Sequence, residues 1–258
     1  MGCVRIGVVA SFSAGEEVWI RRFGNLRNTI RQEMMRRQLA NHARTGMTVL
    51  DVGCGQGTQA VELARRGCVV TGVDPSADLR AECARNAAIE RVGIELLAGR
   101  IEELDEILNV RTFDLVCAHG LLMYLEDRAV AVATLAKRVG PHGKLSITFR
   151  NGHALAMRPG MRRDWSAALD AFGTATYVNE LGVEATADRL EDVTADLEAV
   201  GLHVEEWYGV RVFNDAVSSD MTVPDDEDIR ALLDAEDQAG RCDPYRWMAS
   251  QFHVIARR

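Results

Sequence analysis

Between residues 47 and 149 the apolar positions fall into two alternating patterns. Short continuous runs, the signature of strands buried on both faces, are separated by longer segments in which apolar residues recur at three- and four-residue steps. The runs are Thr48–Val52, Val69–Val73, Ile94–Leu97, Phe113–Ala118 and Lys144–Phe149. The segments between them predict helices over about 58–66, 77–91, 102–108 and 127–139. Strand–helix units joined by short turns predict an α/β fold, a mostly parallel sheet with helices on both faces, because parallel neighbours need crossover helices. Before this core, residues 16–44 read as helix, with Val18, Trp19, Ile20, Phe23, Leu26, Ile30, Met34 and Leu39 on one stripe. Arg21, Arg22, Arg31, Arg36 and Arg37 are then expected to face solvent. After Phe149 the alternation lapses: residues 150–185 contain Gly, Pro, Arg, Trp165 and Tyr177 but no clear strand, which predicts a lid or insertion over the carboxyl edge of the sheet. A helix over Asp188–Val200, a strand over Val204–Phe213, an acidic helix over Asp225–Ala239 and a last strand over Gln251–Ala256 complete the pattern. The expected organisation is one domain over 1–258: a helical cap (16–45), a core (46–149), a lid (150–185) and the remainder of the sheet (186–258).

Composition removes alternatives rather than adding chemistry. The chain has 258 residues, 47% hydrophobic and 26% charged, too apolar for a disordered chain, and no apolar run approaches the ~18–20 residues of a membrane span. No membrane association is expected. Six cysteines are spread along the chain without a CxxC pair or a His/Cys cluster at zinc spacing, so reduced thiols in a cytoplasmic protein, and no metal site, are the expectation. Met1-Gly2-Cys3 suggests a lipidation start, but Ile6 stands where a myristoylation signal needs Ser or Thr. The apolar stretch Ile6–Phe12 is barely long enough for a signal peptide. The formal charge of −8 is unevenly placed: residues 1–50 carry 8 Arg against 3 acids, and residues 151–258 carry 10 Arg against 21 acids. The overall field therefore opposes nucleic acid, leaving a local basic face or plain solvated helix in the first fifty residues. The run Asp225-Asp226-Glu227-Asp228 sits in the first turn of a helix, where acids suit the dipole, and needs no metal.

The most specific segment is Asp51-Val52-Gly53-Cys54-Gly55-Gln56-Gly57-Thr58. A buried strand ends in an acid, three alternate glycines follow, and a helix begins at once. Glycines let the backbone turn sharply and approach a ligand with no Cβ in the way, and the ligand would lie outside the carboxyl end of the strand. A second acid, Asp74, ends the next strand 21 residues after Gly53, where a carboxylate can accept both hydroxyls of a ribose.

These segments, with Gly72-Val73-Asp74-Pro75-Ser76 and Phe113-Asp-Leu-Val-Cys-Ala-His119, resemble the ordered motifs of class I S-adenosylmethionine-dependent methyltransferases. The resemblance implies a Rossmann-like, seven-stranded sheet with its last strand antiparallel, S-adenosyl-L-methionine as cofactor and S-adenosyl-L-homocysteine as product. It also implies that Gly53 and Gly55 pass under the methionine moiety, with Asp51 and Cys54 in the same loop, that Asp74 and Pro75 border the ribose, and that Arg100 and Ile101 border the adenine. His119 would lie beside the sulfonium.

Further stretches are similar to the tRNA carboxymethoxyuridine methyltransferases: Gly24-Asn-Leu-Arg-Asn-Thr-Ile-Arg31, His119-Gly-Leu-Leu-Met-Tyr124, Asn151-Gly-His153, Tyr208-Gly-Val-Arg-Val-Phe-Asn-Asp215 and Gln251-Phe-His-Val-Ile-Ala-Arg257. That similarity implies that Arg27 contacts the cofactor carboxylate. The lysine-rich stretch of those enzymes has no counterpart here, where Thr174–Glu184 contains no lysine. The acceptor therefore stands open between a tRNA wobble nucleoside and a small molecule, and a cofactor-binding protein without catalysis is a third reading. A carboxylate acceptor needs a cation to orient it, for which Arg211, Arg150 and Arg158 are candidates. An alcohol needs a base, for which His119 or His153 would serve. Tyr124, Trp165 and Tyr177 are expected to wall the acceptor pocket. Oligomeric state is left open by the sequence.

Overall fold

The computed structural model describes residues 24–179, 182–218, 221 and 223–258. The expected lipidation start, the apolar stretch Ile6–Phe12, and the helical positions 16–23, including Val18, Trp19, Ile20, Arg21, Arg22 and Phe23, lie outside these residues.

The first described helix, α1 (Leu26–Leu39), is capped by the Asn25 side chain, which accepts from the Asn28 amide. Its apolar stripe Leu26, Ile30 and Met34 is at most 1% exposed. That stripe packs with Val210 and Leu233 in a small core of its own. The core then alternates as predicted: β1 (Thr48–Val52), α2 (Thr58–Arg65), β2 (Val69–Asp74), α3 (Ala77–Ile89), β3 (Ile94–Ala98), α4 (Leu104–Leu108), β4 (Phe113–His119), α5 (Arg128–Ala136) and β5 (Val139–Arg150). The segment expected to be helical over 102–108 is a 3-10 turn at Ile101–Glu103 followed by α4.

Among the described residues seven strands form one sheet in the order β3-β2-β1-β4-β5-β9-β8. The first five are parallel; β9 (Gln251–Arg257) lies antiparallel between β5 and β8 (His203–Val210). One face is covered by α5 and α8 (Leu190–Ala199) around Val116, Ile147, Val193 and Phe252, and the other by α1 and α2 around Leu39, Leu63, Val49 and Cys117. Strand order reverses between β1 and β4, so their carboxyl ends open a crevice where ligands of such sheets bind.

Residues 150–185, expected to lack strands, contain α6 (Met157–Met161), α7 (Trp165–Asp170) and β6 (Thr176–Val178), which pairs with β7 (Glu184–Thr186) as a short antiparallel ribbon. The ribbon leaves no strand pattern in the sequence because each strand spans only three residues and half its side chains are exposed. The helix α9 (Asp226–Arg241) starts as the acidic run predicted, with the Asp225 side chain accepting from the amides of Glu227 and Asp228. Among the described residues no helix is long and apolar enough to cross a membrane.

Candidate active site

Three successive glycines are left-handed, with φ of +71° at Gly53, +54° at Gly55 and +85° at Gly57, a conformation that costs other residues free energy. The chain can thereby leave β1, turn over the end of β2 and enter α2 within a few residues. The amides of Gly53 and Cys54 donate to the Val73 carbonyl, and the Gly55 amide donates to Asp74 Oδ2 at 2.8 Å. Asp74 Oδ1 accepts from the Ser76 amide at 2.9 Å. The loop is thus tied to the end of β2, and a Cβ built on Gly53 would meet nothing closer than Leu121 at 3.7 Å. At Gly57 an added Cβ would collide with the Cys83 sulfur, so that glycine serves packing.

Above this loop lies a cavity of about 710 Å³, within the ~300–1,000 Å³ typical of a small-molecule site. Its lining carries both charges. Asp51 and its neighbour Asp74 line it with Glu102 and Arg100 where the glycine loop and the end of β2 meet, and Arg27, Arg150, Arg158 and Arg211, gathered on Asp215, line it with Arg31 elsewhere. Burial, with the neighbouring Asp74 charge adding to it, pushes the Asp51 carboxyl up to about 7. Both carboxylate oxygens of Glu102 are buried with no hydrogen-bond partner among the described residues, and Ile101 beside it is 4% exposed. A buried carboxylate without a donor is costly, and an amine-bearing ring against Ile101 would supply one.

At the basic end four guanidiniums converge on Asp215. Arg158 holds it with two bonds of 2.9 and 2.7 Å, Arg150 lies at 3.2 Å, Arg211 at 3.3 Å and Arg27 at 3.4 Å. Burial alone would raise the Asp215 carboxyl, but Arg211, Arg150 and Arg158 hold it well below the ordinary carboxylate range. Burial pulls the Arg211 guanidinium down to about 9, with Asp215 opposing and the other arginines adding to it, so it stays charged at neutral pH. The Nε–H groups of Arg150 and Arg211 are buried without an acceptor among the described residues. Arg150 also stacks over the Tyr177 ring at 5.4 Å.

Residues 50–147 match the family described as a methyltransferase domain. The tRNA 5-carboxymethoxyuridine methyltransferase of Escherichia coli K12 is 29% identical over 245 residues, covering 91% of this chain and 89% of that protein. A ubiquinone biosynthesis O-methyltransferase of Rhizobium leguminosarum is 29% identical over 198 residues, 75% of this chain and 73% of that one. Among solved structures, the magnesium protoporphyrin IX methyltransferase of Synechocystis PCC 6803 with bound S-adenosylhomocysteine superposes with a TM-score of 0.62 at 16% identity, over 95% of each chain.

The protein is an S-adenosylmethionine-dependent methyltransferase with the class I fold.

The cofactor-binding residues expected from the sequence come together in the methyltransferase: Arg27, Asp51, Gly53, Cys54, Gly55, Asp74, Pro75, Arg100, Ile101 and His119 all line the one cavity, as do Tyr124, Tyr177, Arg150, Arg158 and Arg211. Arg211 reaches it in a way the sequence did not indicate. The strand expected to run to Phe213 stops at Val210, and Arg211 takes a left-handed φ of +61°. The cause is Glu236 on α9, 1% exposed, whose carboxylate accepts from the amides of Val212, Phe213 and Asn214 and from the Asn214 side chain. These bonds pull the backbone off the sheet and swing Arg211 and Asp215 inward.

Three further expectations are corrected. Arg31, expected to face solvent, instead lines the cavity, its guanidinium held at 2.9 and 3.2 Å by the Asn28 side chain; one turn of helix carries Arg27 and Arg31 to the same side. Trp165 is 65% exposed and outside the cavity. His153 pairs with Glu191 at 3.0 Å on the surface and is no base for this site. His119 is in place, but burial, and then the Arg31 charge, lower its imidazole to about 3, too weak to take an alcohol's proton at neutral pH. Tyr124, its phenol pushed up by burial and accepting from Asn179 at 3.0 Å, is a neutral hydroxyl and not a base. Among the described residues no group of three or more His, Cys, Asp or Glu side chains is placed to hold a metal.

Proposed function

We propose that the methyltransferase esterifies a carboxylate: the methyl group passes to an oxygen that is already ionised when it enters the cavity. The observation that carries this reading is the basic end, where Arg150 and Arg211 keep buried Nε–H donors without acceptors while their far nitrogens are held by Asp215. Buried donors of that kind are rare unless a ligand completes them, and paired guanidiniums suit a planar two-oxygen anion.

The acidic end fits the cofactor. Asp74 would take the ribose hydroxyls with lone pairs not used by Gly55 and Ser76. Glu102 would take the exocyclic amine of the adenine, with Ile101 as apolar cover; Arg100 and Pro75 border the same pocket. Gly53, Gly55 and Cys54 would run beneath the aminoacyl tail, with Asp51 near its ammonium and Arg27 or Arg31 at its carboxylate. S-adenosylmethionine, when bound, supplies a methyl group on a sulfonium that is already activated for displacement. The chain's own task is then alignment and exclusion of water. Arg150 and Arg211 hold the acceptor oxygens, Tyr124 and Tyr177 wall the space between the two ends, and no general base is required. The weak basicity of His119 agrees with this and disfavours an alcohol acceptor.

The E. coli relative is named for a nucleoside whose modification ends in a carboxylate, which supports a carboxymethoxyuridine in tRNA as the acceptor. The absence of lysine from Thr174–Glu184 and the −8 charge favour a free small acid instead. Incubation with methyl-labelled S-adenosylmethionine and either bulk tRNA or a small-acid fraction, followed by mild alkali, tests both points. A carboxyl methyl ester releases labelled methanol; alkali-stable label on an ether or amine would overturn the proposal.

A further inference from the structure

Four polar side chains from four elements form one buried chain beneath the cavity, and its direction can be worked out from one end. Gln38 of α1 lies 3.4 Å from the Gly209 carbonyl. A carbonyl only accepts, so the Gln38 amide nitrogen faces it and Oε1 faces the other way. Gln38 Oε1 is 2.8 Å from His253 Nδ1, which must therefore carry the proton. His253 is fully buried and burial holds it neutral, so its Nε2 is a lone pair and accepts from the Ser146 hydroxyl at 2.8 Å. The Ser146 oxygen, its own proton committed, accepts from His119 Nε2–H at 2.8 Å. Read from Gln38, each hydrogen bond sets the direction of the next, and the series ends at His119 with Nδ1 unprotonated.

That Nδ1 is buried and has no hydrogen-bond partner among the described residues, in a side chain that lines the cavity. His119 ends β4, and the register Asp51↔Cys117 sets it beside the start of the glycine loop. We propose that the Gln38–His253–Ser146 chain locks His119 as the neutral Nε2–H tautomer so that Nδ1 accepts a hydrogen bond from the α-ammonium of the cofactor's aminoacyl end. The inference rests on the cofactor reading given above. An ammonium carries three N–H donors, so Asp51 and His119 can both be served by it. The cationic donor also keeps the imidazole neutral, as the nearby Arg31 does. Ser146 and His253 are then positioning residues: they touch no ligand and act by holding the tautomer.

The test is nitrogen NMR of protein labelled at histidine, with S-adenosylhomocysteine and 5′-methylthioadenosine as probes, the second lacking the aminoacyl tail. In the free protein His119 should show one neutral tautomer, protonated on Nε2. Saturation with S-adenosylhomocysteine should shift its Nδ1 resonance as a new donor arrives, and methylthioadenosine should leave it in place. Ser146→Ala should give a mixture of tautomers. His119→Phe should weaken S-adenosylhomocysteine roughly ten-fold or more, the usual worth of a hydrogen bond to a charged group, and leave methylthioadenosine within about two-fold by calorimetry. An Nδ1–H tautomer, or an Nδ1 resonance unmoved by S-adenosylhomocysteine that demonstrably binds, would overturn the proposal. Failure of the unaltered protein to bind S-adenosylhomocysteine at all would instead remove the cofactor reading beneath it.

Discussion

Asp51 gives the account a pH-dependent signature that can be measured without knowing the acceptor. Its carboxyl stands near 7 in the folded protein against an ordinary value of 3.8, through burial first and the Asp74 charge second. A carboxyl raised on folding keeps its proton in the native state over a window in which the unfolded chain has lost it. Stability therefore falls as pH rises from about 4 to about 7, and the cost is fully present above that. At ~1.4 kcal/mol per unit, the shift corresponds to a cost on the order of 4 kcal/mol at pH 8, an upper bound because a buried site relaxes around its charge. Asp51→Asn keeps the shape and removes the charge. In the absence of cofactor the variant should be more stable than the parent by roughly 2–4 kcal/mol at pH 8 and nearly equal to it at pH 4. Urea unfolding curves at several pH values measure this directly. Other carboxylates contribute slopes of their own, but the difference between parent and variant isolates Asp51. Parallel stability curves for the two proteins would refute the reasoning. The same residue predicts proton release: an ammonium brought against Asp51 favours its ionised form, so binding of S-adenosylhomocysteine near pH 7 should release a proton from the parent and none from the variant. Calorimetry in two buffers of different ionisation enthalpy reads that proton.

Other consequences follow from single contacts. Asp74→Ala should abolish calorimetrically detectable binding of S-adenosylhomocysteine, because it removes both the ribose acceptor and the anchor of the Gly55 amide; unchanged affinity would remove the ribose assignment. Arg211→Ala should reduce acceptor turnover at least ten-fold, from loss of a charged hydrogen bond worth about 1.5–3 kcal/mol, while cofactor affinity stays intact. Equal turnover would return Arg211 to a structural role. Glu236→Ala strips the Val212, Phe213 and Asn214 amides of their acceptor and should lower stability by roughly 2–4 kcal/mol. Even where the variant remains folded by circular dichroism it should lose methyl transfer before it loses cofactor binding.

The half of the site built on consecutive residues was readable in advance. Asp51 through Gly57 is a continuous stretch whose residue types state their own geometry, and Asp74 stands at the end of the next buried run. Arg100 and Ile101 follow the third strand for the same reason, so the crevice at the strand ends could be assembled from sequence order alone. The basic end could not. Asp215 draws arginines from α1, β5, α6 and the end of β8 into one place, and nothing in local periodicity couples residues so far apart in the chain. Arg211 was named from a motif, but its inward turn depends on Glu236, which reads as an ordinary acid on an acidic helix. Helical periodicity points Arg31 to solvent because it marks only the face turned away from one core, and here a second surface on that helix meets a cavity rather than water. The hydrogen-bonded chain from Gln38 to His119 crosses α1, β9, β5 and β4, and it takes both the pairing of those strands and the seating of α1 on the sheet to bring the four polar residues together.

The most direct test of the central claim is a crystal structure of the protein with S-adenosylhomocysteine. Adenine should lie against Ile101 and Glu102, the ribose hydroxyls on Asp74, and the aminoacyl tail over Gly53 with its carboxylate toward Arg27 or Arg31, leaving Arg150 and Arg211 open to an acceptor. Ligand bound elsewhere, or with its aminoacyl carboxylate seated on Arg150 and Arg211, would contradict it.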